Sequence, residues 1–168
     1  SDVYKRQVDS KRNVIVNVHV EAANINDVTP MPEILDDVER RLGKLPKYMG
    51  LDAGYHNAWI AHLLETKGIQ GVIGYRRHTH KGAHYGKYRF RYDPVRDEYI
   101  CPEKQRLTWK TTTREGYRQY CCEGKTCKGC PRRAECFGAS MSRKVVERHV
   151  WQDALERVDA FTKTHRGK

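Results

Sequence analysis

Apolar and polar positions recur with two different periods in the first half of the chain. Val14, Val16, Val18 and Val20 fall on one side and Asn17 and His19 on the other, a period of two that predicts a strand. Ala22 to Asp27 is polar and reads as a turn. Met31, Ile34, Leu35, Val38 and Leu42 then follow helical spacing, with Thr29 as N-cap, Pro30 at the first helical position and Gly43 as the stop. Tyr48 to Leu51 is a short strand ending on Asp52. Asn57 can cap a second helix that buries Ile60, Leu63 and Leu64 and stops at Gly68. Ile69 to Tyr75 reads as another strand. Helical crossovers between successive strands predict parallel neighbours in a sheet covered by helices.

After Tyr75 the texture changes. Arg76 to His84 is a basic, His-rich loop. Lys87 to Tyr92 alternates basic Lys87, Arg89 and Arg91 with aromatic Tyr88, Phe90 and Tyr92. Asp93-Pro94 starts a turn, and Glu98 to Cys101 is expected to return as a hairpin. Leu107 to Thr112 and Tyr117 to Tyr120 are further strand candidates. Val146, Val150, Ala154, Leu155, Val158 and Phe161 recur at roughly helical spacing, predicting one long helix over 145–164. Residues 1–7 join poorly to the strand beginning at Val14 and are set apart as an assembly scar. The expected organisation is an α/β core over 8–85, a β-rich Cys-bearing insertion over 86–137, and a region 138–168 whose helix returns to the core.

A chain of 168 residues is long enough for one domain with a real core. It has no run of about 18 apolar residues and no secretory pattern, which disfavours membrane and export readings. The net charge of +11 is unevenly spread. Residues 1–75 carry 9 Lys/Arg against 10 Asp/Glu, and residues 76–168 carry 23 against 11. Such asymmetry favours a polyanionic partner for the second half, most often nucleic acid. All six cysteines lie within 101–136. Without an export signal, clustered Cys more often bind metal than form a disulfide framework.

Asp52 is the first chemical candidate. A carboxylate at a strand tip sits on rigid backbone, and hard cations such as Mg²⁺ take carboxylate oxygens. Asp before a Gly turn is also common as plain turn chemistry. Cys122, Cys127, Cys130 and Cys136 form a C-x₄-C-x₂-C-x₅-C block that could hold a structural Zn²⁺, with Cys121 or Cys101 as alternative ligands. An Fe–S cluster and unligated thiols remain open there. Arg76, Arg77, Lys81, Lys87, Arg89 and Arg91 fall within sixteen residues that contain no acid, and are expected to contact phosphates. The interleaved Tyr88, Phe90 and Tyr92 are expected to form a small core rather than to stack on bases. His56 is expected as a surface turn residue, with a place beside the metal site as the other reading. His78, His80 and His84 fit a metal tract or a basic loop equally. Trp59, Trp109 and Trp151 are expected to pack.

Three stretches resemble the transposase DDE domain of bacterial insertion sequences, a branch of the RNase H-like superfamily. Val16-Asn-Val-His-Val-Glu-Ala-Ala-Asn24-Ile-Asn-Asp27 resembles that family's strand and turn before its first core helix. Gly50-Leu-Asp52-Ala-Gly-Tyr55 resembles the setting of its second catalytic aspartate. The Cys122 to Cys136 block resembles an insertion carried by one subgroup. The likeness covers about 8–168. It implies an RNase H-like mixed sheet flanked by helices and interrupted by the β-rich insertion. It implies Mg²⁺ or Mn²⁺ held by two aspartates and a glutamate, and DNA strand cleavage and transfer between transposon ends and target. It also implies a bacterial cytoplasmic, nucleoid-associated protein that is a homodimer at full length. Only Asp52 carries over as a catalytic residue. Asp9 and Asp2 do not fit the first aspartate, and Glu147 and Glu156, both expected on the final helix, lack the setting of the glutamate. The expectation is therefore an internal fragment, inactive in strand transfer by itself. The alternative is a non-catalytic, zinc-stabilised nucleic-acid-binding module in which Asp52 is a turn residue.

Overall fold

A computed structural model of the chain describes residues 2–75 and 82–164, with side chains from Lys5 onward. The chain divides into two compact units, 1–76 with 153–168, and 77–152. The second unit is wider than the insertion expected over 86–137.

The first unit begins with β1 (Asp2–Asp9), paired antiparallel with β2 (Val14–Ala22). Residues 2–7, set apart as a scar, thus belong to a strand. The turn between them closes through the Asn13 amide on the Asp9 carbonyl at 2.7 Å, with Asn13 at φ 54°. Asn tolerates this left-handed geometry better than most residues. α1 (Met31–Leu42) buries Met31, Ile34, Leu35 and Val38, the expected stripe. Its N-cap is Pro30 rather than Thr29, and Gly43 ends it at φ 68°. β3 (Tyr48–Leu51) and β4 (Gln70–Ile73) pair in parallel, from Tyr48 opposite Gln70 to Leu51 opposite Ile73. The crossover is α2 (Ala58–Thr66), capped as predicted by Asn57 Oδ1 accepting from the Ile60 amide at 2.8 Å. The parallel pairing expected from the crossover is present, but β2 pairs with β1 and not with β3.

The valine alternation of β2 is real, yet its burial is reversed. Val14, Val18 and Val20 are exposed, whereas Asn17 is buried. A two-stranded ribbon buries only what a covering element reaches. α1 packs against β2, and the residue of that strand removed from solvent is the asparagine.

The second unit is a five-stranded antiparallel meander: β5 (Arg91–Asp93), β6 (Glu98–Ile100), β7 (Arg106–Thr112), β8 (Tyr117–Cys121) and β9 (Val145–His149), in that spatial order. Phe90, Tyr99, Leu107, Tyr120, Cys122, Cys127, Phe137 and Val146 form its core. The short helices α3 (Gly124–Lys128) and α4 (Arg133–Cys136) lie between β8 and β9. The long helix expected over 145–164 is instead β9 followed by α5 (Gln152–Thr162), which falls almost wholly in the first unit. Val146 and Arg148 point inward and are buried, and β9 pairs with β8 from Cys121 opposite Val145 to Tyr117 opposite His149. A period of two therefore holds where an i, i+4 spacing of Val146 and Val150 had suggested a helix. Glu147 accordingly lies on a strand, while Glu156 lies on α5.

Candidate functional site

Asp52 follows β3 directly. Its backbone is still extended (φ −73°, ψ 174°), and it caps a 3-10 turn at Ala53–Tyr55 through Oδ1, which accepts from the Gly54 amide at 2.7 Å. Two glycines make room for this turn. A Cβ on Gly54 would lie 3.0 Å from Asp52 Oδ1 and 4.0 Å from Asp27 Oδ2. A Cβ on Gly74, just past β4, would lie 3.0 Å from the Ala53 nitrogen and 3.4 Å from the Asp52 carbonyl carbon. The Gly74 amide donates to the Leu51 carbonyl at 2.9 Å, which extends the β3–β4 pairing to the foot of the turn. The carboxylate is exposed, its direction fixed by backbone, at the end of a parallel strand pair.

Asp27 comes close on the other side of Gly54, and it is not alone. Lys5 on β1 is buried, with 8% of its side chain exposed, and its Nζ lies 3.0 Å from Asp27 and 3.1 Å from Glu21. Burial pulls the Lys5 ammonium down, but the hydrogen bonds it donates to Asp27 and Glu21 outweigh this and leave its pKa raised. Tyr55 shares this surrounding. Burial raises its hydroxyl above the usual tyrosine range, Lys5 opposes, and Asp27, Asp52 and Glu21 add to the rise. Sequence reading missed Lys5 because residues 1–7 were set aside. A basic residue at an inward position of a strand was the available signal.

An oxygen-seeking dication fits Asp52 as one ligand. The carboxylate is oxygen-only, exposed, held by a backbone bond, and makes no ion pair among the described residues. A three-ligand set is not assembled there. Among the described residues no group of three or more His, Cys, Asp or Glu is placed to hold a metal ion. His56 neither lies on the surface nor joins Asp52. Its side chain is 6% exposed, and its Nε2 lies 2.7 Å from Asp159 Oδ1 on α5, both within the first unit.

Four of the thiols share the core of the second unit. None of the six cysteines is in a disulfide. Cys122 and Cys127 are buried in the core of the second unit, with Cys101 and Cys136 packed against it. Burial, a hydrogen bond with the Cys127 thiol and nearby Cys101 push Cys122 up to about 12. Burial lifts Cys136 to about 11, with Lys144 opposing and Cys127, Cys101 and Cys130 adding. Cys101, one of the two alternatives named from sequence, joins the group. Its Sγ accepts from the Gln105 amide at 3.3 Å.

Of the basic strip, Arg76, Arg77 and Lys81 lie outside the described residues, as do His78 and His80. Lys87, Arg89 and Arg91 are exposed. Phe90 is buried and Tyr92 packs on the core, as expected, but Tyr88 is 71% exposed. The Arg89 guanidinium lies 5.6 Å from the Tyr85 ring and 5.8 Å from the Tyr88 ring. Trp109, expected to pack, is 53% exposed on β7. His84 approaches the Ala134 carbonyl at 3.1 Å and marks no metal tract among the described residues. The second unit carries 18 Lys/Arg against 8 Asp/Glu, or +10 of the chain's +11.

These features define a mixed α/β protein with a strand-tip carboxylate and a strongly basic, β-rich unit. A family model described as the transposase DDE domain matches residues 7–156. The chain belongs to the transposase DDE domain family. No curated protein and no solved structure matches the chain. Among the described residues no helix is long and apolar enough to cross a membrane.

Proposed function

We propose that this chain serves metal-dependent DNA strand cleavage and transfer during transposition, with Asp52 as one metal-binding carboxylate of an RNase H-like core. The observation that carries this is the Asp52 turn. A bare carboxylate sits at the tip of a parallel strand, its backbone backed by Gly74 and its side chain anchored on Gly54, within a match to the DDE domain. A bound Mg²⁺ or Mn²⁺ would supply Lewis-acid activation of a water or 3′-hydroxyl and stabilise the leaving oxygen. Asp52 would supply one carboxylate ligand to that ion, and Lys5 offsets part of the negative charge of Glu21 and Asp27 nearby. The basic second unit supplies phosphate contacts, with Lys87, Arg89 and Arg91 exposed and Arg76, Arg77 and Lys81 adjoining in sequence. The test is strand transfer by the transposase that carries this domain. Asp52→Asn abolishes Mg²⁺-dependent joining of labelled DNA ends while duplex binding persists. Joining at near wild-type rate would overturn the reading.

A second reading, a zinc-stabilised nucleic-acid-binding module, has one observation in its favour. Cys101, Cys122, Cys127 and Cys136 share one core in the basic unit, and Cys130 follows Cys127 at C-x₂-C spacing. As described, the thiols are not drawn around a common point. Zinc held by Cys122, Cys127, Cys130 and Cys136 is tested by metal analysis of anaerobically purified protein. One zinc per chain supports it, and a ratio near zero removes it.

A further inference from the structure

Beside β8 and β9 in the second unit lies an open groove of about 640 Å³, lined by Tyr85, Lys87, Tyr117, Gln119, Lys144 and Glu147 among others. It is no part of the Asp52 site. Its walls mix three chemistries. Tyr117, at the start of β8, is 43% exposed, with its ring edge-on to His149 at 4.9 Å. Gln119 and Glu147 face each other across β8 and β9, the Gln119 amide donating to Glu147 Oε1 at 2.9 Å. Lys87 and Lys144 add positive charge. Lys144 donates to the Tyr85 carbonyl at 2.6 Å, which ties the 85–87 segment alongside the start of β9.

We propose that this groove binds single-stranded DNA, stacking an unpaired base on Tyr117, reading its edge with the Gln119–Glu147 pair and meeting its phosphates with Lys87 and Lys144. The proposal rests on the reading that the second unit meets DNA, and it narrows that reading to a form of DNA. Three observations select the occupant. The unit's charge of +10 calls for a polyanion. Within a polyanion the partner for an exposed tyrosine ring is a base face, which a duplex hides and a single strand offers at every nucleotide. Glu147 repels phosphate, so the charged backbone belongs on the lysine side. The Gln–Glu pair offers a carboxylate acceptor to exocyclic amino groups, as on cytosine N4, and an amide able to engage adenine. A volume of 640 Å³ falls in the range of ligand clefts and has room for more than one base.

The test is fluorescence anisotropy on the whole chain with labelled single strands of dC, dA or dT, with RNA of matching sequence and with duplex DNA. Tyr117→Ala weakens single-strand binding by about 5- to 100-fold, the range expected for one stacked base, and leaves duplex binding and the salt slope unchanged. Tyr117→Phe retains binding. Glu147→Gln reorders the preference among the three homopolymers. In the unaltered protein, 2-aminopurine placed in the strand is quenched on binding, a readout that does not depend on any variant folding. No quenching, equal loss on single-stranded and duplex DNA, or tighter binding of RNA overturns the proposal. Absence of salt-dependent binding to every nucleic acid sinks the broader DNA reading instead.

Discussion

Lys5 Nζ lies 3.0 Å from the Asp27 carboxylate, and Asp27 in turn reaches to within 4.0 Å of where a Cβ on Gly54 would sit, over the amide that anchors Asp52. A buried cation on β1 thus sits among the carboxylates around the turn. Lys5→Met should leave Glu21, 14% exposed, without its counter-charge. The expected cost is about 1–3 kcal/mol in urea unfolding, the range for a lost charged hydrogen bond that leaves its partner unsatisfied. The pH dependence has a definite sign. The folded pKa of Lys5 is raised above 10.5, so its stabilisation is full below 10.5 and disappears as pH climbs through the higher folded value. Wild-type protein should lose stability on that alkaline limb, and Lys5→Met should show a flatter one.

The Gly74 backbone packs against the Asp52 turn so closely that no side chain fits without movement. A Cβ would press on backbone at 3.0 Å and 3.4 Å, where nothing flexible can give way. Gly74→Ala should cost about 1–3 kcal/mol, as overpacking does, and should shift the backbone amide resonances of Ala53 and Gly54. Gly50→Ala is the control. That glycine is on β3, has nothing within 4 Å of where a Cβ would sit and has no positive φ. It should be neutral or slightly stabilising. Equal effects at the two sites would show that the close approach at Gly74 does not hold the turn.

Asp97 anchors a polar knot in the meander. It accepts from the hydroxyls of Tyr120 at 2.6 Å and Tyr92 at 2.7 Å and from Arg118 at 3.1 Å. Burial pushes its carboxyl up, but the Tyr120 and Tyr92 bonds with Arg118 and Arg148 outweigh this and leave it below the usual carboxylate range. Its contribution is therefore present above pH 3.8 and fades as pH falls through the lower folded value. Asp97→Asn should flatten acid unfolding in that window. Because the side chain is 42% exposed, the loss at neutral pH should be only about 1–2 kcal/mol.

How far the chain could be read in advance follows from whether local signals and tertiary demands agreed. Gly43 and Gly68 act through their own backbone geometry and Asn57 through a side chain that reaches three residues on, so the two predicted helix ends and the Asn57 cap stand where local chemistry places them. The β3–β4 pairing follows from the intervening helix, and Asp52 at its tip was visible as a carboxylate between a short apolar run and a Gly turn. Glu147 was misplaced because Val146, Val150 and Ala154 satisfy helical spacing while Val145 to His149 also satisfies a strand. Only the pairing with β8 decides between them. The partners of Lys5, of Asp97 and of His56 were invisible for a different reason. Each pairing joins residues distant in sequence, and no period encodes a partner 16, 23 or 103 positions away.

Asn17 is the clearest conflict between pattern and packing, and it yields the sharpest stability prediction. The side chain is 2% exposed, and among the described residues neither its Nδ2 nor its Oδ1 has a hydrogen-bond partner. A buried carboxamide without partners costs on the order of 1–3 kcal/mol, whereas an apolar side chain of similar size in the same place carries no such penalty. Asn17→Leu should therefore raise stability by about 1–2 kcal/mol in urea unfolding, discounted for imperfect fit. Val18→Thr, one position along on the exposed face, should change it by less than about 0.5 kcal/mol because that side chain is 44% exposed. The contrast separates the two faces of β2 directly. If Val18→Thr were the costly change and Asn17→Leu the harmful one, the valine face would be the buried one and the inverted burial of β2 would be wrong.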